Sequence, residues 1–485
     1  MTVAPNTASG APDRSSAAVA PASGADLDLD LTVRSRIHII GVGGAGMRAI
    51  ASVLAAMGHT VSGSDLKESG GLDRLRAEGV DVAIGHDATH VADVDLVTRS
   101  TAVPDSNDEV VAARAAGTPV LSRAEILAAI ARIRPTLAVA GTHGKTTTSS
   151  MLALALVEAD MDPSFIIGGE VNEIGSGAVW SDDGGWFVVE ADESDGTFLE
   201  LERSAAIVTS LEPDHLAHYG SQEALEAAFA TFVAGVDGPV IVCVDDPGCR
   251  RLVEAVPDAR VVSYGTAEDA DWVVSQYVPA RAGASFVLHG PDLEPAALRL
   301  ATPGIHNVRN ATAAIAAAVA IGAPVDAAIS ALERFGGVAR RFQFRGVAGG
   351  VTYVDDYAHL PSEVEAALEA AAGGDWERIV CVFQPHRYSR TADLWQDFAG
   401  CFRRADLVVL TDVYSSGEAP LPGVTGKLVA DAVLDADPRC DVAYLPHRED
   451  LRLYLSARLR SGDLCLTLGA GDLTTLPDEL LGAHP

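Results

Sequence analysis

The chain has 485 residues, 48% of them hydrophobic, and its 35 basic against 67 acidic residues leave a formal net charge of −32. That length fits about three domains, and the acidic balance argues against nucleic acid and anionic membrane surfaces while leaving room for phosphates held by backbone amides and a few placed cations. The six cysteines (243, 249, 381, 401, 440 and 465) form no Cys-x-x-Cys pair, no run of about 18 apolar residues would span a bilayer, and no basic start leads into an apolar core. The expectation is a cytoplasmic protein with reduced thiols and no membrane insertion.

Residues 1–33 are rich in Ala, Pro, Ser, Gly and Asp and show no apolar periodicity until Leu27, the composition of a disordered tail. Order is expected from Arg36. Ile37–Ile40 reads as a strand, followed by Gly41-x-Gly43-x-x-Gly46 and a helix to Met57, and the next strand ends at Asp65. A glycine turn at a helix N-terminus accepts a pyrophosphate. Alone, this fingerprint fits an NAD-dependent oxidoreductase as well as a UDP-sugar protein. Further strands at 94–98 and 118–121 complete a parallel, doubly wound first domain.

A second α/β unit opens at Thr136. The apolar run Leu137–Ala140 leads into Gly141-Thr-His-Gly-Lys-Thr146 and a helix. Free N–H groups and the helix dipole point at a phosphate there. Lys145 would reach the outer phosphates of ATP, and the Thr146 hydroxyl would ligate Mg²⁺. The loop is a short variant: Val139 stands where the common spacing has its first glycine. Strands at 186–189, 206–209 and 240–244 follow. The first ends in Glu190, placed to hold Mg²⁺, with Asp192, Glu193 and Asp195 either beside it or in a solvated loop. The second leads to Glu212-Pro-Asp214-His215, which puts His215 near the phosphates as ligand of a second ion. His306-Asn307-Val-Arg-Asn310 opens an Ala-rich helix over 308–321, and a hinge follows. A third α/β unit runs from about Phe342, with strands at 352–354, 379–383, 407–410, 442–445 and 464–468.

These motifs resemble, in register, those of the Mur ligase family, the ATP-dependent amide-forming enzymes of peptidoglycan precursor synthesis. The matching pieces are Gly-Val-Gly-Gly-Ala-Gly-Met at 41–47, Gly-Ser-Asp at 63–65, Gly-Thr-His-Gly-Lys-Thr-Thr-Thr at 141–148, Glu-Ala-Asp-Glu-Ser-Asp at 190–195 and Glu-Pro-Asp-His at 212–215. His-Asn-Val-Arg-Asn at 306–310, Asp-Asp-Tyr-Ala-His at 355–359, Phe-Gln-Pro-His-Arg-Tyr-Ser-Arg-Thr at 383–391 and Leu-Gly-Ala-Gly-Asp at 468–472 complete the set. The resemblance implies an α/β fold of three domains: a Rossmann-like UDP-sugar domain (34–134), a P-loop-type central ATP-binding domain (135–338) and a Rossmann-like C-terminal domain (339–485) for the amino acid.

It also implies residue roles. Gly43, Gly44, Ala45, Gly46 and Met47, with Asp65 and His86, would hold the UDP-sugar. Gly141, Thr142, His143, Gly144, Lys145, Thr146 and Thr147 would cradle ATP, with Asn307 and Asn310 at adenine and Arg341 and Asp356 at its ribose or phosphate end. Thr146 with Glu190, and His215, would hold two Mg²⁺ ions, with Mn²⁺ as a substitute. Tyr357, His359 and Arg390 would shape the amino-acid site, and Lys145, His215, His359 and Arg390 would serve catalysis. The implied substrates are UDP-N-acetylmuramate, L-alanine and ATP, and the implied assembly is a monomer or weak homodimer. The general base stays open between His359, His215 and a phosphate oxygen. A ligase using a recycled tripeptide is the nearest alternative. A non-catalytic sensor of UDP-sugar and the oxidoreductase are more distant ones. Leu360 replaces a histidine common in the family.

Overall fold

In a computed structural model, which describes residues 29–482, the chain builds three sheets in sequence order. The first has five parallel strands, β1 (Arg36–Ile40), β2 (Thr60–Asp65), β3 (Asp81–Ile84), β4 (Leu96–Arg99) and β5 (Val120–Ser122), in the order β3-β2-β1-β4-β5. The order reverses between β1 and β4. Ligands of open parallel sheets bind in the crevice at such a reversal, and the Gly41–Gly46 loop sits there.

The middle sheet has ten strands: β6 (Thr136–Ala140), β7 (Ser164–Val171), β8 (Ser176–Val179), β9 (Phe187–Glu190), β10 (Ala205–Val208), β11 (Val240–Cys243), β12 (Val261–Gly265), β13 (Trp272–Ala280), β14 (Gly283–Gly290) and β15 (Leu293–Leu300). Their order is β15-β14-β13-β12-β11-β10-β6-β9-β7-β8. β6 is fully buried between β9 and β10 and parallel to both. The ends of these three strands therefore carry the phosphate loop, Glu190 and Thr209 to one edge. β13, β14 and β15 form an antiparallel meander. The sequence reading did not include it, because its solvent-facing positions break up any apolar run.

The helix Lys145–Glu158 is buried almost all round. It packs beside Ile305–Ala320, whose buried face is a row of alanines. Small side chains let the two backbones approach, so the alanine run is core rather than filler.

The third sheet holds β16 (Gln343–Ala348), β17 (Val351–Asp356), β18 (Arg378–Phe383), β19 (Leu407–Leu410), β20 (Val442–Tyr444) and β21 (Asp463–Leu468), in the order β16-β17-β21-β18-β19-β20. All pairs are parallel except β16 with β17. All six cysteines are free and five are buried. No described helix is long and apolar enough to cross a membrane.

The tail expectation needs correction at its end. Residues 1–28 lie outside the described residues, but Leu31 is 4% exposed and joins the core of the first sheet, with Leu29 packed beside it. Leu29 and Leu31 belong to a short Asp-Leu alternation and pack on the core of the first sheet.

Candidate active site

The loop after β6 is built around two glycines that admit no other residue. Gly141 has φ +128°, and a Cβ there would lie 2.2 Å from Thr209 Oγ1. Gly144 has φ +79°, and its Cβ would lie 2.6 Å from Asn310 Oδ1. Both positions strain any side chain-bearing residue. The loop is tied to the exit of β10: Thr142 N–H donates to Ser210 O at 3.0 Å and His143 N–H to Ser210 Oγ at 2.9 Å.

Lys145 opens the helix, and its Nζ lies 2.9 Å from both carboxylate oxygens of Glu193 and 2.6 Å from Gly141 O. Burial works against its charge, but Glu193, with Asp192 and Glu190, raises the ammonium pKa. Glu193 is 2% exposed. The sequence left it undecided between site and solvated loop, and the structure makes it the partner of the loop lysine.

Thr146 Oγ1 donates to Glu190 Oε2 at 3.2 Å, and Gly168 N–H to Glu190 Oε1 at 2.7 Å. Burial pushes the Glu190 carboxyl upward. A half-buried carboxylate beside a hydroxyl is a pair of hard oxygen donors. That donor set suits Mg²⁺. Nearby Asp192 stays low despite burial, because Lys145 is close.

Beside the loop lies a cavity of about 360 Å³, lined by Gly144, Thr147, Asp245, His306, Asn307, Arg309, Asn310, Arg341 and Asp356. Asn307 Nδ2 donates to Pro303 O at 2.7 Å, and Arg309 pairs with Asp245 at 2.6 Å. Burial and the nearby arginines depress His306 to about 4, so it is a neutral wall at pH 7. Asp356 ends β17, and both its oxygens accept backbone N–H groups, from Phe342 and Ala358, at 2.7 Å. Burial raises it to about 6. Its carboxylate pins the junction from which Arg341 reaches the cavity.

A second cavity, about 370 Å³, joins the middle and third domains. Lys145, Thr146, Asp192, Asp214 and His215 line one side, and Arg341, Tyr357, His359, His386 and Arg390 the other. His215 has φ +56° and its Nε2 is 3.2 Å from Asp214 Oδ2. Arg390 donates to His386 Nδ1 at 3.1 Å and stands 3.7 Å from Asp214. His359 Nδ1 faces two acceptors, Tyr357 O at 3.0 Å and Glu363 Oε2 at 3.1 Å. Burial, with Arg390 and Arg341, lowers the His359 pKa against the pull of Glu363. His386 falls to about 3 through burial and its cationic neighbours.

His143 spans the two domains, 3.3 Å from Glu212 and 3.2 Å from Glu363. Against the cost of burial, those carboxylates raise it to about 10, so it is a fixed imidazolium. Glu363, in the first turn of the helix Pro361–Ala372, was not singled out from sequence. Its place three residues after Leu360 at a helix start was the signal that could have found it.

In the first domain Gly43 N–H donates to Asp65 Oδ2 at 2.8 Å. Gly41, Gly44, Asp65 and His86 line one crevice. Ala45 and Gly46 line another, of about 260 Å³, together with Arg123, Lys145, Glu190 and Asp192. The loop thus faces the phosphate site directly. Met47 is different: its side chain is 2% exposed and lies in the core, so only its backbone faces the loop. Arg123 was missed. It directly follows β5, where Ser122 caps the next helix in a capping box with Glu125, and strand exits are where site residues collect.

Comparison with known proteins accords with this arrangement. Family models described as "Mur ligase family, catalytic domain", "Mur ligase middle domain" and "Mur ligase, glutamate ligase domain" match residues 36–134, 139–318 and 340–471. The UDP-N-acetylmuramate–L-alanine ligase of Kineococcus radiotolerans is 48% identical over 456 residues, covering 92% of this chain and 95% of the relative. That of Anaeromyxobacter sp. (strain Fw109-5) is 45% identical over 450 residues, covering 92% and 97%. Among solved structures, the UDP-N-acetylmuramate-alanine ligase of Thermotoga maritima aligns with a TM-score of 0.78 at 29% identity, over 93% of this chain and 99% of that one. With all three domains matched in order and nearly half the residues shared over nine-tenths of its length, the chain belongs to the Mur ligase family.

Proposed function

We propose that this chain joins L-alanine to the lactyl carboxylate of UDP-N-acetylmuramate at the expense of ATP, giving UDP-N-acetylmuramoyl-L-alanine, ADP and phosphate for peptidoglycan precursor synthesis. The observation that carries the reading is that three cavities meet at the phosphate loop, one between the first and middle domains and two between the middle and third, with Lys145 in the wall of two of them. One fits a nucleotide, one opens toward the Gly41–Gly46 loop, and one is closed by Tyr357, His359 and Arg390. The division at residues 134 and 338 then gives each domain one substrate. The enzyme works in the cytoplasm as a monomer or weak homodimer.

A carboxylate oxygen attacks the γ-phosphorus of ATP, ADP leaves, and an acyl phosphate forms. The alanine amine adds to the acyl carbon, and the C–O bond to phosphate breaks. Lys145 exchanges Glu193 for the transferring phosphoryl group and neutralises its charge as it moves. Thr146 with Glu190 would hold one Mg²⁺ (or Mn²⁺) and His215 a second, supplying further charge neutralisation at the phosphates. Arg390, beside His386 and Asp214, offers a planar fork to the α-carboxylate of alanine.

His359 takes the ammonium proton. Its Nδ1 proton is held by two acceptors, which leaves the Nε2 lone pair, and its depressed pKa keeps the ring neutral. Closure of the third domain excludes water from the acyl phosphate. The test is phosphate release with each substrate omitted in turn: release is expected only with ATP, Mg²⁺, UDP-N-acetylmuramate and L-alanine together. Equal ATP hydrolysis without the UDP-sugar would remove the ligase reading, and a higher kcat/KM for L-Ala-γ-D-Glu-meso-diaminopimelate than for L-alanine would replace the acceptor.

A further inference from the structure

Behind the wall of the first-domain crevice lies a carboxylate that the chemistry above does not use. Glu109, second residue of the helix Asp108–Ala116, has no solvent exposure. Its Oε2 accepts from Ser64 Oγ at 2.6 Å and from His86 Nδ1 at 2.9 Å. Its Oε1 accepts from His90 Nδ1 at 2.6 Å and from Asp87 N–H at 3.4 Å, with His38 Nε2 3.6 Å away. Burial opposes its charge, but His38, Ser64 and His90 hold the carboxyl at about 2. An apolar side chain would fill this space at lower cost in desolvation, so the ionised acid needs a reason.

Of the three histidines around Glu109, His86 lines the crevice, beside Gly41, Gly44, Asp65 and Asn107. Both hydrogen bonds recorded for its ring run through Nδ1, to Ser64 Oγ at 3.0 Å and to Glu109. A carboxylate at Nδ1 fixes the proton on that nitrogen and leaves Nε2 as an acceptor. We infer that Glu109 is a positioning residue for the UDP-sugar: it sets the tautomer and tilt of His86 so that Nε2 accepts a hydrogen bond from the nucleoside, either a ribose hydroxyl or uracil N3–H. This rests on reading the crevice as the UDP-sugar site.

A metal centre is the competing use of the cluster, since His38, His90 and Glu109 bring three ligand atoms within 4.8 Å of one another. The spacing argues against it. Two donors each about 2.0–2.1 Å from one tetrahedral zinc stand about 3.3 Å apart, whereas the His90–Glu109 contact of 2.6 Å is a hydrogen-bond length.

Calorimetry on the full chain separates these outcomes, with UDP-N-acetylmuramate and UDP as probes. Glu109→Gln and His86→Ala are each expected to raise Kd roughly 10-fold. The double variant should bind no more weakly than His86→Ala alone, because Glu109 acts through that ring, and the KM for ATP should not move. If the wild type binds neither probe, the site reading fails. If the wild type binds but Glu109→Gln binds equally well, or the double variant loses the product of both effects, the positioning role fails. Stoichiometric Zn²⁺ binding that Glu109→Gln abolishes would also overturn it. Should Glu109→Gln not fold, Glu109→Asp withdraws the carboxylate by one methylene and carries the same expectations. Deoxy-UDP lacking the 2′ or 3′ hydroxyl and N3-methyl-UDP name the donor: the analogue whose binding ignores His86→Ala has lost it, and sensitivity of all three would remove the hydrogen bond.

Discussion

After β1, the Gly43 N–H that could meet a phosphate already donates to Asp65 at 2.8 Å. After β6, the loop carries Lys145, locked to Glu193 at 2.9 Å, and His143, held charged between two carboxylates. Both loops open helices, so both offer N–H groups and a positive dipole end. They differ in the side chains set directly against the loop. The first loop sets Asp65 there, with Arg48 on the Gly43 carbonyl and Arg123 in the crevice beyond Gly46. The second sets Lys145 and a charged His143 there, which in the proposed reaction would follow a phosphoryl group as its charge moves. In the proposed reaction the first geometry would serve grip and the second chemistry.

The sharpest break of that contrast is at Lys145. Lys145→Ala should lower kcat by about 10² or more while calorimetric affinity for UDP-N-acetylmuramate stays within error. It also strands Glu193, and an unpaired buried charge costs about 3–5 kcal/mol, so the melting temperature should fall. Lys145→Ala with Glu193→Gln should recover the melting temperature and not the rate. Recovery of both would mean that the lysine serves only the fold.

His215→Ala should follow, with a loss of about 10² in kcat that shrinks as Mg²⁺ is raised. Near wild-type turnover at low Mg²⁺ would return this left-handed histidine to a purely structural role.

A smaller effect belongs to the first loop. A Cβ on Gly43 would lie 2.7 Å from Asp65 Oδ2, so Gly43→Ala must push that carboxylate aside. The KM for the UDP-sugar should rise roughly 10-fold, as for loss of one charged hydrogen bond, with the KM for ATP unchanged. Parallel rises in both would show that the two loops are not separate sites.

The contrast was legible in the sequence because each loop sits between a short apolar strand and a helix, a pattern local enough to read residue by residue. Glu190 at the end of β9 and His215 beyond β10 were equally legible, since parallel strands must end at one edge. What escaped was whatever depends on packing between distant segments. Glu363 matters through His143, 220 residues away. Glu109 is one acid in an Asn-Asp-Glu helix start until Ser64, His86 and His90 fold onto it. Leu31 looked like tail because the alternation at Leu27, Leu29 and Leu31 is short and set among aspartates. Met47 sits within the loop motif, yet helical geometry turns its side chain into the core.

The mildest test concerns the charge that spans the domains. His143 is raised to about 10 by Glu212 and Glu363, against an ordinary value of 6.5. A histidine whose folded pKa exceeds its unfolded one lends stability that is complete below pH 6.5 and fades as pH climbs through the folded value. The pair joins the phosphate loop to the third domain, so it stabilises the closed arrangement as well as the fold. Glu363→Gln keeps the size of the side chain and removes one of the two carboxylates. Its melting temperature should lie a few degrees below wild type at pH 7, about what a loss near 1 kcal/mol produces in a domain of this size, and the gap should close as pH rises past 10. A gap that stays constant to pH 10.5 would mean that Glu363 supports the helix start and His359 alone. His143 would then be neutral in the folded chain, and the second loop would owe its positive character to Lys145 by itself.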